Sequence, residues 1–170
     1  MSTQYHTRFG SLASWEKGRV EPITDRVEHY AFSNCFEIAQ NAAPWEKIVF
    51  GQNQEYVLEV IRAQGTSPWY TCAHDEFALC MDGEVEIHLV QLDTTQQIAD
   101  KNHNGAVLVS GDPIGKAMGW MKIKRGHQGM FPANSAYQFR STLAAVIVLQ
   151  SCKGELSIER WQDICQTEGA

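Results

Sequence analysis

The feature that most restricts this chain is the rhythm of short apolar runs and turn formers from about residue 46 onward. In Glu84-Val85-Glu86-Ile87-His88-Leu89, polar and apolar side chains alternate without a break, the period of a strand with one buried face. Residues 56–62 are rich in β-branched and aromatic side chains and lie between turn formers at 51–54 and 65–68. Residues 77–81, 106–109, 121–124, 136–140 and 143–150 read as further strands. Leu156, Ile158 and Trp161 supply a last one after the turn at Lys153-Gly154. Asp82-Gly83 is a two-residue hairpin signal, and Gly111-Asp112-Pro113 and residues 126–129 read as turns. About nine short strands, with no long helical pattern in the second half, predict an all-β barrel or sandwich. Residues 1–45 are less regular: Trp15 lies beside Glu16, Lys17, Gly18 and Arg19, and Pro22 follows. That composition predicts an N-terminal arm over 1–45 that packs against something, with linkers at 16–25 and 39–44, and a barrel over 46–170.

The 170 residues are one domain's worth of chain, enough to bury roughly 70% of the unfolded surface without a disulfide or a structural metal. The longest apolar run, residues 143–149, has the length of a strand rather than of a membrane span. The polar N-terminus has no signal-peptide core. A net charge of −6 argues against nucleic acid or an anionic membrane as partner. Five cysteines, Cys35, Cys72, Cys80, Cys152 and Cys165, are an odd number with no Cys-x-x-Cys spacing. Free thiols in a reduced compartment fit that count, so the expected location is the cytoplasm.

The sequence carries no phosphate-binding glycine loop and no serine in a nucleophile elbow. Cys72 and His74, two apart, form the one nearby Cys–His pair. With Glu76 they alternate onto one face if a single strand carries all three. Such a Cys72/His74/Glu76 cluster either holds a metal ion or satisfies itself by hydrogen bonds inside the barrel. His6, His29, His88 and His103 show no ligand spacing, and His127 sits in a turn as a surface residue.

Two segments resemble the paired motifs of the cupin superfamily, a small jelly-roll β-barrel whose metal enzymes take ligands from both. In the first, Glu76 stands seven residues before Gly83; in the second, Gly126 stands six before Pro132. The resemblance implies an all-β, cupin-like β-barrel. It also exposes a departure. The family's His-x-His pair falls here on Tyr70 and Cys72, or on Trp69 and Thr71, and its second-motif histidine falls on Tyr137. Of the degenerate positions Tyr70, Cys72, Glu76 and Tyr137, only Glu76 keeps a family ligand. A non-haem Fe(II) centre needs two imidazoles and a carboxylate on one face, which this chain does not supply.

The stretch from Tyr56 through Gly65-Thr66-Ser67-Pro68-Trp69-Tyr70-Thr71-Cys72-Ala73-His74-Asp75-Glu76 is similar to the small subunit of two-component hydroquinone 1,2-dioxygenases. That resemblance implies a chain without catalytic residues or metal of its own. Its partner would be a large catalytic subunit carrying Fe(II), in an α2β2 heterotetramer. The complex would open hydroquinone, a small phenolic substrate, to 4-hydroxymuconic semialdehyde during para-nitrophenol breakdown. Two other readings stand beside it: a self-contained cupin metalloenzyme using Cys72, His74 and Glu76, and a metal-free cupin that binds an aromatic ligand. Five tryptophans exceed what the strands need. Trp120 and Trp161 are expected to fill the barrel and its ends, while Trp15 and Trp45 divide between that role and a partner contact. Trp69, with Tyr70, would form an aromatic edge at the barrel mouth, next to the partner's substrate.

Overall fold

The computed structural model describes residues 10–16, 34–93 and 104–161, which form one helix and ten strands. In chain order these are α1 (Cys35–Asn41), β1 (Lys47–Asn53), β2 (Tyr56–Thr66), β3 (Tyr70–Cys72), β4 (Glu76–Asp82) and β5 (Glu84–Leu92). There follow β6 (Ala106–Leu108), β7 (Gly115–Lys124), β8 (Gln128–Phe131), β9 (Ser135–Cys152) and β10 (Ser157–Glu159). His6, His29, His103 and Cys165 lie outside the described residues, as does most of the arm.

The strands make a single curled sheet whose spine is the 18-residue β9. On one side β9 pairs with β2 and then β3; on the other it pairs with β4 and then β5, all antiparallel. Further out, β1 and β10 extend the sheet beyond β2, β8 pairs β4, β7 pairs β5, and β6 pairs β3. The all-β cupin-like barrel is therefore present.

Three local expectations are corrected. Asp82-Gly83 is not a hairpin turn. Strand β4 runs opposite residues 146–150 of β9 and β5 opposite residues 135–140, so the chain continues along β9 in one direction. Gly83, at φ 75°, is the bend between them. A Cβ there would stand 2.7 Å from that of Ala145, so the left-handed backbone and the close approach both call for glycine. Residues 136–140 and 143–150 are one strand rather than two. Between Gly65↔Ser141 and Ala63↔Ala145 the pairing shifts, which inserts a bulge that curls β9 where Gly83 bends its neighbour. Residues 39–44 are not a linker, because Ala39 belongs to α1 and is buried along with Ala42. Turn boundaries also narrow: Gly51 to Asn53 extend β1, and Gln128 and Gly129 open β8.

Burial follows strand alternation onto two faces. Ile61, Ala63, Val85, Ile87, Tyr137, Phe139, Ala145 and Ile147 fill the barrel. Ile48, Val60 and Val146 point outward and are covered by Phe36, Ile38 and Ala39 of α1. Asn34 caps that helix, its side-chain oxygen accepting the Phe36 N–H at 3.0 Å. Residues 10–16 are tied to the barrel by the Leu12 N–H, which donates to Asp82 Oδ2 at 2.7 Å.

Candidate functional site

Pairing of Tyr70 with Tyr137 joins the two motif regions at the heart of the barrel. Strand β3 ends at Cys72, the chain bends, and β4 starts at Glu76. Cys72, His74 and Glu76 therefore do not share one strand face. The bend still brings their Sγ, imidazole and carboxylate atoms within 4.8 Å of one another. Two contacts hold this corner from the facing loop: Asp75 Oδ1 accepts the Ala133 N–H at 2.8 Å, and the Cys72 carbonyl accepts the Asn134 N–H at 2.7 Å.

Each candidate ligand is already engaged. Glu76, 1% exposed, accepts the Tyr137 hydroxyl at 2.7 Å on one oxygen and the Ser151 hydroxyl at 2.6 Å on the other. His74 Nε2 accepts the Cys152 N–H at 3.3 Å, which leaves Nδ1 as the protonated nitrogen, donating to the Asp75 carbonyl at 2.9 Å. Burial and the Glu76 charge push the Cys72 thiol up to about 12.

A residue the sequence reading passed over completes the interior. Lys47, at the start of β1, is 2% exposed. Its ammonium lies 3.7 Å from Glu59 Oε2 and donates to the Tyr137 hydroxyl at 3.4 Å. It also sits 4.8 Å from the centre of the Tyr70 ring, a cation–π contact. Glu59 is equally buried and accepts the Ser157 hydroxyl at 2.6 Å. A continuous polar line thus runs Ser157, Glu59, Lys47, Tyr137, Glu76, Ser151 across five strands of an otherwise apolar barrel. Burial raises the Glu59 carboxyl, and Lys47 acts against that rise. Burial, with Glu59 beyond it, holds the Tyr70 phenol at about 12, and burial with Glu76 keeps Tyr137 well above the ordinary tyrosine value. Both phenols are neutral donors and acceptors.

Around this line the rings are tightly packed. Tyr137 stacks on Phe131 at 4.7 Å between ring centres, and Tyr70 lies 5.6 Å from Tyr137. Trp45 stacks on Phe139 at 6.2 Å with planes 5° apart, from a backbone at φ 70° that few bulky residues adopt. These residues do not fit an iron centre. The motif positions present two phenols, a thiol and a carboxylate taken up by two hydroxyls, beside an ammonium, where a non-haem iron centre takes two imidazoles and a carboxylate.

Trp69 and Tyr70 do not form a shared edge. Tyr70 is 4% exposed inside the barrel, whereas Trp69 is half-buried in a separate cluster with Leu92, Val109 and Ala136. Trp15 and Trp161 pack against the α1 cluster. Trp120 does not fill the core. It is 60% exposed, stacked on His88 at 6.2 Å, on a strand whose residues 115–120 are all exposed. Among the described residues β7 pairs only with β5. Met118 and Ile114 add to the apolar surface at this edge.

Fold and motif positions together define a cupin-fold protein whose metal-ligand positions have been given over to a hydrogen-bonded interior. One solved structure, hydroquinone 1,2-dioxygenase PnpCD in complex with Cd2+ and 4-hydroxybenzonitrile, contains a chain 48% identical to this one. The match covers 98% of this chain and 99% of that one, with a TM-score of 0.84. A second, hydroquinone 1,2-dioxygenase from Sphingomonas sp. TTNP3 with 4-hydroxybenzoate bound, is 44% identical over 98% of this chain and all of that one, with a TM-score of 0.88. The chain belongs to the hydroquinone 1,2-dioxygenase family. The Fe3+ complex of PnpCD also contains a different chain, of which this one covers only 32%, at 13% identity and a TM-score of 0.53, a likeness of fold alone. No protein-family model matches the sequence, and no curated protein matches it.

Proposed function

We propose that this chain is the non-catalytic small subunit of an Fe(II)-dependent hydroquinone 1,2-dioxygenase, with residues 1–45 as an arm and 46–170 as the barrel. It assembles with a larger iron-bearing chain into an α2β2 heterotetramer in the cytoplasm and serves para-nitrophenol breakdown. The complex converts hydroquinone to 4-hydroxymuconic semialdehyde. The observation that carries this reading is the interior of the barrel, where hydrogen bonds and Lys47 occupy what iron ligands would need. The PnpCD structures support it, since one kind of chain there matches this one end to end and a longer kind shares only its fold. The exposed apolar edge at Ile114, Met118 and Trp120 supports a protein partner, because a solvent-exposed edge strand is ordinarily covered or blunted. No helix among the described residues is long and apolar enough to cross a membrane.

Anaerobic loading of the isolated chain with Fe(II) tests the assignment. The expected result is near-zero iron per chain and no ring cleavage until the larger chain is added. One iron per chain, with hydroquinone consumed by this chain alone, would overturn it in favour of a Cys72, His74 and Glu76 centre. Within the complex, Trp69 walls the partner's substrate pocket. Trp69→Ala is expected to raise the KM for hydroquinone about tenfold, the scale of one lost aromatic contact. An unchanged KM and kcat in an intact complex would remove Trp69 from the site.

A further inference from the structure

A lysine is almost never fully buried without a partner, and Lys47 is buried at a particular place. Glu76 and Tyr137 stand at two of the four positions where a cupin of this resemblance would ligate its metal. The Lys47 ammonium is one hydrogen bond from Tyr137, at 3.4 Å, and Tyr137 is one hydrogen bond from Glu76, at 2.7 Å. Two carboxylates, Glu59 and Glu76, face the same interior, and within the described residues Lys47 is the fully buried cation there. Aromatic faces of Tyr70 and Tyr137 turn toward its Nζ at 4.8 and 5.8 Å. Strand β1 fixes the position: Lys47 and Val49 point inward while Ile48 packs under α1.

We propose that Lys47 is a built-in cation that takes the place of the metal ion in this barrel. It neutralises Glu59 directly and Glu76 through the Tyr137 hydroxyl. Its presence also closes the interior to a divalent ion, because two like charges would then share one low-dielectric space. The site has exchanged an exchangeable ion for a covalently tethered one. This inference concerns the barrel interior and holds whatever phenol the complex acts on.

The test uses the full 170-residue chain with Zn(II) and Co(II) as probes. Lys47→Ala leaves two buried carboxylates without a cation and is expected to lower Tm by about 10 °C. Saturating Zn(II) should restore at least half of that loss in Lys47→Ala, leave the unsubstituted chain unmoved, and fail once Glu76→Gln is added. Co(II) should give a saturable visible spectrum in Lys47→Ala and none in the unsubstituted chain. The double variant Lys47→Met/Glu59→Gln removes Lys47 and one of the two carboxylates it serves, and without metal should melt between Lys47→Ala and the unsubstituted chain. If Lys47→Ala does not fold, this pair and the unsubstituted chain decide the question. The idea is overturned by any of four results: a Tm for Lys47→Ala within about 2 °C of the original, no recovery with Zn(II), a double variant that melts as low as Lys47→Ala, or Zn(II) uptake by the unsubstituted chain at one ion per chain.

Discussion

Two lysine–glutamate arrangements lie on opposite faces of the same curled sheet, and the better-formed one by distance is the weaker by physics. On the outer face Lys122 is 2.8 Å from Glu84 and 3.3 Å from Glu86, and Lys124 adds a contact to Glu84 at 3.3 Å. All four side chains are well exposed, so water and salt screen their attraction. In the interior Lys47 is 3.7 Å from Glu59, with neither reached by solvent. There the longer separation matters less than the absence of any alternative: an ammonium taken out of water must find its partners inside the protein. Identical residue types thus decorate one face and hold the other together.

The largest effect expected from breaking this contrast is in the interior. Glu59→Ala strands the Lys47 ammonium and should cost about 3–5 kcal/mol in urea unfolding. A loss below about 1 kcal/mol would mean the buried pair behaves like a surface one.

An intermediate effect belongs to Asp82, which sits between the two regimes. It accepts the Leu12 N–H at 2.7 Å and the Gly83 N–H at 3.0 Å, and pairs with Arg125. Asp82→Ala should cost about 1–2 kcal/mol. Partial burial works against ionisation of Asp82, but Arg125 and the Leu12 N–H outweigh it and hold the carboxyl below its ordinary value. Its folded pKa is therefore depressed, so its contribution is present above the unfolded carboxylate value and is lost as pH falls through the folded one. Acid titration of stability should show a shallower decline in Asp82→Ala than in the unsubstituted chain; parallel curves would remove Asp82 from the acid response.

The smallest effect is on the outer face. Lys122→Ala is expected to move Tm by no more than about 2 °C, and adding 1 M salt should shrink even that shift. A larger, salt-resistant loss would show that this face is less screened than its exposure implies.

Much of the fold was legible because it is written in short-range signals. Alternation in residues 84–89 became β5, and the motif spacing singled out Glu76 and Tyr137, whose side chains meet at 2.7 Å in the barrel interior. Misreadings came where one local signal serves two geometries. A glycine at positive φ closes a hairpin or bends a continuing strand, and only the partner strand distinguishes them; for Gly83 that partner is β9. Polar Ser141-Thr142 looked like a break but forms a bulge, with the Ser141 hydroxyl 2.7 Å from the carbonyls of both Glu84 and Leu143. Lys47 was invisible because a lysine ahead of Ile48-Val49-Phe50 reads as the solvated end of a strand. Its counter-charge, Glu59, lies on the next strand within another apolar run.

The sequence by itself determined an all-β chain and the spacing of its cupin-like motifs, with Tyr70, Cys72 and Tyr137 where the resemblance calls for histidines, since each depends on residue type and spacing along the chain. Only the tertiary structure decided what those positions meet inside the barrel. Lys47, Glu59, Glu76 and Tyr137 come from four strands, and whether a charge is solvated or sealed in depends on which strands curl around it. The same holds for Trp120, whose place on an exposed edge rather than in the core follows from β7 pairing with β5, a contact no stretch of sequence contains.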